Sequence, residues 1–185
     1  MKINVLVVVC LMVVMSAAMV APVMAIDTGT STITGNPGAV IDIVVTGSIT
    51  GWALTAGTTN TKADTVTLGV SSNYIGWVVA VKDASDGSKP LSWAGRMVEW
   101  DGSAYVASPK VLGANMTVTG ATVTGSSGSS AILGSVDQII ETGTAIVTSL
   151  EIPLTFAQAV AYTDPHLTTL NHVYRIVITF TGAAS

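Results

Sequence analysis

Three side chains that could bind a transition metal lie close together near the C-terminus. Asp164, His166 and His172 offer one carboxylate and two imidazoles within nine residues. These are ligand types that zinc accepts. Their spacing matches no metal motif. We therefore expect surface histidines in a loop and predict no metal ion or other cofactor.

Carboxylates are the second group of side chains that could do chemistry. Asp83 and Asp86 could offer oxygen to calcium, but their spacing is not that of an EF-hand, so we predict a turn there. A glycosidase would need two acids facing each other across a cleft. The remaining candidates for that role are Glu99, Asp101, Glu141 and Glu151. No pattern brings two of them together, and we predict that the protein is not an enzyme.

The aromatic residues suggest binding rather than catalysis. Trp52 and Trp77 are in register with apolar neighbours, which predicts that both pack in the core. Trp93 and Trp100 flank predicted turns, where a partly exposed ring could stack on a sugar. Covering one end of the fold is the simpler role for both rings. Asn115 begins a complete glycosylation sequon and is a candidate for glycan attachment.

The N-terminal 25 residues predict export. Lys2 precedes a long apolar run, and small residues lie three positions and one position before Ile26. This pattern is typical of a cleaved signal peptide covering residues 1–25. The run is also long enough to span a bilayer as an uncleaved anchor. We expect cleavage, and hence a secreted protein at the extracellular cell surface with no membrane span in its mature chain.

Composition excludes several functional classes. Cys10 lies in the predicted signal peptide, so the mature chain would have no disulfide, thiol nucleophile or zinc–thiolate site. Loss of Lys2 leaves 6 basic and 11 acidic residues and a formal charge of −5. An acidic surface argues against nucleic acid as a partner. The charged fraction is 10%, against about 25% in typical soluble domains. A surface so poor in charge favours self-association with identical subunits or other envelope proteins.

Alternating apolar and polar residues predict antiparallel strands through most of the chain. The turn residues between these runs and the lack of a sustained helical period favour one all-β domain over residues 40–185. We predict an immunoglobulin-like antiparallel β-sandwich. The predicted strands cover residues 40–46, 49–56, 66–70, 77–81, 97–100, 104–108, 116–123, 150–156 and 176–180.

The segments between these strands carry four further predictions. An Asp-Gly pair at residues 101–102 favours a hairpin turn. The Gly-Ser stretch at residues 125–130 predicts a flexible loop. A possible capping box predicts a short helix over residues 135–141. Pro153 cannot donate a backbone hydrogen bond, so we expect its strand to lie at a sheet edge.

Several motifs together resemble a known family. A Trp-x-Leu triplet and the strands after it are similar to exported WxL-type domains, to β-sandwich surface proteins of methanogenic archaea and to TasA-like fibre subunits. The motifs cover most of residues 40–182 and are 51–54 with Gly57 and Asn60, 70–73, 77–83, 95–97, 152–158, Asp164 and 174–181. The resemblance implies a non-catalytic surface protein with an immunoglobulin-like fold and no active-site residues.

These observations predict a secreted structural or adhesive protein of the cell envelope. It could be a subunit of a sheath, fibre or surface layer that assembles through sheet edges. The Thr-rich arm over residues 26–39 is expected to be flexible and is a candidate strand donor to a neighbour. The alternative is a monomeric adhesion domain that binds carbohydrate through Trp93 and Trp100.

Overall fold

The computed structural model describes residues 34–35, 37–84, 86 and 89–184. The chain divides after Pro37 into two compact units, Met1–Pro37 and Gly38–Ser185, and every element below belongs to the second. The predicted signal peptide and most of the predicted arm lie outside the described residues. Among the described residues, no helix is long and apolar enough to cross a membrane.

The described part of the second unit is all-β, as predicted. Its regular elements are twelve strands and one 3₁₀ turn at Leu91–Trp93. The strands are β1 Ile41–Thr46, β2 Thr58–Ser72, β3 Trp77–Asp83, β4 Arg96–Trp100, β5 Val111–Asn115, β6 Thr117–Gly120, β7 Ser126–Gly128, β8 Ser130–Ile132, β9 Gln138–Gly143, β10 Val147–Val160, β11 Val173–Arg175 and β12 Ile178–Ala184.

The strands form three antiparallel sheets around one core. The sheet orders are β1-β2-β10-β6-β8, β12-β3-β9-β7 and β11-β4-β5. The long strands β2 and β10 pair with each other over most of their length. Inward-facing side chains from all three sheets share a single apolar cluster, which includes Leu68, Trp77, Leu112 and Ile152. Burial of Trp77 confirms the prediction for that ring, while Trp52 is half-buried against the same cluster.

Pro153 lies in an interior strand, so the edge prediction was wrong. Strand β10 is paired on one side with β2 and on the other with β6. The pairing with β6 begins at Leu154, the residue after the proline, and does not include Pro153. The Pro153 carbonyl accepts a hydrogen bond from Ala121, just past the end of β6. In a strand, the N–H and the C=O of one residue point toward the same neighbouring strand. The N–H that Pro153 lacks would therefore point toward β6, beyond the end of the regular pairing, so its absence costs no ladder hydrogen bond.

Two predictions of irregular or helical structure were also wrong. Residues 125–130 supply β7 and β8 rather than a flexible loop, because both strands pair with longer neighbours. The predicted helix over residues 135–141 overlaps β9, which pairs with β3 and β7. A capping pattern over two turns is weak, and pairing on both sides of the strand outweighs it.

Two predicted strands do not form. Residues 49–56 have no regular structure, because Gly47, Gly51 and Gly57 have φ values of 88°, 61° and 80°, which interrupt an extended chain. Residues 104–108 form only an isolated bridge between Tyr105 and Trp100. The predicted Asp-Gly turn is present, since Asp101 N–H donates to Ala104 O, but no strand follows it.

Candidate functional site

An apolar cavity of about 960 Å³ lies inside the second unit and is available for binding. Its walls come from all three sheets and from the irregular segment over residues 47–56. The wall includes Val45 of β1, Trp52, Trp100 of β4, Tyr174 and Arg175 of β11, and Phe180 of β12.

Two edge strands, β1 and β12, contribute to the wall of the cavity. At one end these strands are in contact: a Cβ added to Gly182 would lie 3.0 Å from Cδ1 of Ile41 and 3.1 Å from Cγ2 of Ile43. Farther along, Val45 and Phe180 line the cavity instead. The two sheets are therefore closed together at the Gly182 end and separate toward the irregular segment.

A polar cluster lies at the wall of the cavity around Arg175. Its guanidinium carbon lies 4.0 Å from the centroid of the Trp100 ring, and Nη1 lies 2.9 Å from Oδ2 of Asp86. That ion pair is close but not aligned as a hydrogen bond. Tyr105 packs edge-on against Trp100 and donates to Asp86 at 3.0 Å. Burial, together with that hydrogen bond, raises the pKa of Tyr105.

The structure places the two candidate sugar-stacking rings, Trp93 and Trp100, in different surroundings. One face of Trp100 carries the Arg175 guanidinium, so a sugar would have to use the other face. Trp93 is half-buried in the 3₁₀ turn and does not line the cavity. Asn115, the glycosylation candidate, donates from Nδ2 to Leu133 O at 2.7 Å. The same nitrogen also donates to Ala94 O at 3.4 Å, and attachment of a glycan would remove one of these two N–H donors.

The structure separates the three side chains considered for a metal site. Asp164 accepts backbone hydrogen bonds from Gly113 and Ala161, each at 2.8 Å. Nδ1 of His172 lies 2.7 Å from Oε1 of Glu99. His166 is exposed. The described residues contain no group of three or more His, Cys, Asp and Glu side chains that could hold a metal ion.

The two acids considered as a catalytic pair are both engaged locally. Glu99 accepts a hydrogen bond from Lys110 N–H at 2.9 Å, and this bond, with His172, lowers its pKa. Asp101 accepts from the backbone of Ala104 and Ser103, which lowers its pKa to about 2. Both carboxylates are therefore held in the charged form by structural contacts.

A buried ion pair at the end of β3 was not predicted from the sequence. Lys89 Nζ lies 2.5 Å from Oδ2 of Asp83, and the two side chains are 2% and 3% exposed. The calcium candidates Asp83 and Asp86 are thus each paired with a cation, Lys89 and Arg175 respectively. Sequence spacing gave no sign of this pair, since loop lysines are normally solvated.

Glu141, one of the acids considered from the sequence, is also buried, which its spacing did not predict. It is fully buried on β9, and neither carboxylate oxygen has a hydrogen-bond partner within the described part of the chain. Its Oε1 lies against Gly120 of β6, where an added Cβ would be only 1.9 Å away. Burial raises the pKa of Glu141 to about 7, which the nearby Ser126 hydroxyl opposes only in part.

Comparison with known proteins adds no assignment. No family model, curated protein or solved structure matches the chain. The resemblance to WxL-type and TasA-like proteins therefore stays a prediction.

Proposed function

We propose that the protein is a non-catalytic, secreted structural or adhesive component of the cell envelope that assembles through the side of the fold bearing β1 and β12. The observation that carries this proposal is the apolar cavity that is lined in part by these two edge strands. We infer for the domain an immunoglobulin-like sandwich, in which the five-stranded sheet forms one layer.

The two edges lack the features that normally block pairing. Native edge strands are protected by charges, prolines or bulges. Strand β12 contains no charged residue and no proline, and β1 contains only Asp42. The exposed side chain of Val44 adds apolar surface on β1. Both strands are therefore suited to pairing with a strand from another chain.

The cavity supplies a reason for such pairing to be favourable. Protein interiors are packed to crystal density, and empty apolar volume is destabilising. A space of about 960 Å³ is large enough to accept apolar side chains from another strand. An apolar strand that entered between β1 and β12 would fill this space and satisfy the free backbone groups of an edge in the same step.

The occupant that we favour is a strand from a second copy of this chain. The N-terminal arm over residues 26–39 is the candidate donor, because it precedes β1 and carries isoleucines at positions 26 and 33 among Thr, Ser and Gly. Arm exchange would join copies head to tail and produce a fibre or layer.

Sedimentation velocity of the chain beginning at Ile26 tests the proposal, with three lysine variants of equal charge. Val45→Lys puts a charge on the edge strand facing the cavity and is expected to abolish assembly. Val44→Lys places the same charge on the other face of β1, and we expect a weaker effect. Ala107→Lys, at an exposed bend outside every strand, is expected to assemble like wild type.

Deletion of residues 26–38 separates the donor arm from the edge itself. Loss of the polymer on deletion, with the domain still folded, supports the arm as donor. Unchanged polymers would remove the arm from the mechanism and leave direct pairing of edges. A wild-type chain that stays monomeric at high concentration would overturn the assembly proposal.

The alternative function is a monomeric adhesion domain that binds carbohydrate. It is favoured by the position of Trp100 and Tyr174 in the cavity wall, because aromatic rings beside an opening can stack on sugars. Titration of a monomeric sample with oligosaccharides, followed by tryptophan fluorescence, tests it. Binding lost in Trp100→Ala would support this alternative, and binding retained in that variant would exclude Trp100 as the stacking ring.

A further inference from the structure

Asp83 and Lys89 form a contact that is unusual for an ion pair. The side chains are almost completely buried at the end of β3, with Nζ of Lys89 2.5 Å from Oδ2 of Asp83. Gly95 N–H donates to the same oxygen at 2.6 Å, and Lys89 Nζ also donates to Arg96 O at 2.6 Å. The other carboxylate oxygen, Oδ1, is buried with no hydrogen-bond partner among the described residues.

If Asp83 and Lys89 form an ion pair, the hydrogen-bonding capacity of the carboxylate is incompletely used. A buried carboxylate needs its lone pairs occupied, and an unpartnered oxygen on a charged group is costly. Burial also lowers the pKa of Lys89 and thereby favours the neutral amine. A neutral amine beside a carboxyl group, in a site that excludes water, can act as the nucleophile in amide formation.

The same contacts fit an amide bond better. The carbonyl oxygen of the amide, formed from Oδ2, would keep the hydrogen bond from Gly95 N–H. The single amide N–H would keep the hydrogen bond to Arg96 O. The unpartnered Oδ1 would leave the molecule. Each remaining polar atom of the link would then have a partner, and no buried charge would remain.

We propose that the Lys89 amine and the Asp83 carboxyl group condense to an intramolecular isopeptide bond. A proton first passes from the Lys89 ammonium to the Asp83 carboxylate. The amine lone pair then attacks Cγ, and the Gly95 N–H stabilises the negative charge that develops on Oδ2. A proton passes from nitrogen to Oδ1, the Cγ–Oδ1 bond breaks, and one water molecule leaves. No oxidant, reductant or other reactant is required.

Gly95 is the positioning residue of this site. Its φ of +83° suits glycine, and an added Cβ would lie 2.0 Å from Leu133 O. Its N–H is therefore held toward Asp83 by a backbone conformation that other residues avoid. Any replacement that tilts this N–H away is expected to slow bond formation.

Intact mass of the purified full-length protein tests the proposal directly. We expect wild type to be lighter than its sequence by one water molecule. The peptide over residues 83–96 should carry this loss and give no backbone fragments between positions 83 and 89. In the variants Lys89→Arg and Asp83→Ala, the sequence mass is expected to be restored. Asp83→Asn can form the same amide by losing ammonia, and its product should equal wild type in mass.

The Asp86-Gly87 pair needs its own control, because a succinimide there would also lose one water molecule. Acetylation of amines in the denatured protein distinguishes the two products. An isopeptide bond leaves Lys89 unacetylated, whereas a succinimide leaves its amine free to react. A wild-type protein with full sequence mass, or one in which Lys89 is acetylated completely, would overturn the proposal.

Discussion

Two ends of one apolar core differ in how completely they are packed. At one end Trp77 is fully buried, its indole N–H donates to Ala145 O at 3.0 Å, and its ring lies against Gly143 so closely that an added Cβ would be 2.1 Å away. At the other end Trp52 is half-buried in the wall of a large cavity. Similar residue types thus complete the core at one end and leave it open at the other, and the open end is where we place assembly.

We expect the largest loss of stability from a substitution at the packed end. Trp77→Ala removes a fully buried ring and leaves a cavity, so we expect a loss of ~3–5 kcal/mol in the free energy of unfolding. Trp52→Ala at the open end and Trp93→Ala in the 3₁₀ turn should each lower the free energy of unfolding by clearly less. Denaturant melts of the chain beginning at Ile26 provide the measurement. Equal losses for Trp77 and Trp52 would show that the two ends do not differ in packing.

The next effect concerns pH and Glu141, also at the packed side. The pKa is raised to about 7 in the folded state from an ordinary 4.5. Between these values the folded protein holds a proton that the unfolded chain has lost, so the free energy of unfolding falls as pH rises from 4.5 and levels off above 7. We expect a change of roughly 2 kcal/mol in the free energy of unfolding. Each unit of pKa shift corresponds to about 1.4 kcal/mol, and hydration of the charged carboxylate in the folded state makes the total smaller.

Glu141→Gln is the matched variant for that measurement. The neutral amide has nearly the same shape and does not titrate, so melts between pH 5 and pH 8 should lose most of their pH dependence. The variant should also be more stable than wild type at pH 8. If both proteins showed the same slope, another group would be responsible.

The smallest expected effect lies at the open end. Arg175→Gln removes the cation above Trp100 and the ion pair with Asp86, both partly exposed. We expect a loss of about 0.5–1 kcal/mol and a change in tryptophan fluorescence. Lys62→Gln, an exposed lysine on β2, is the control for loss of one positive charge and should change neither. If Arg175→Gln lowered the free energy of unfolding as much as Trp77→Ala, the open end would be as tightly packed as the other end.

Local patterns predicted the all-β class and the burial of Trp77, because alternation with period two depends on neighbouring residues alone. They failed where distant pairing decides the outcome. Residues 135–141 carry a capping pattern that predicts a short helix, yet residues 138–143 pair with β3 and β7 as strand β9. Pro153 indicates an edge in isolation, and only the end of β6 one residue away makes it acceptable in an interior strand.

The candidate site was less predictable than the fold. The cavity is formed by side chains from β1, β4, β5, β10, β11 and β12 together with the irregular segment at residues 47–56. The sequence of any one of these elements does not predict a cavity. The Asp83–Lys89 contact likewise depends on where Gly95 directs its N–H. A lysine six residues from an aspartate in a turn-like segment gives no such indication.

Hydrogen–deuterium exchange of the chain beginning at Ile26, compared between dilute monomer and concentrated assembly, tests the central claim most directly. The account predicts that amides of β1 and β12 gain protection on assembly, because their free edges pair with a neighbour. Amides of β10 over residues 154–157, which lie between β2 and β6, should change little. An assembly in which β1 and β12 exchange as fast as in the monomer would contradict the account.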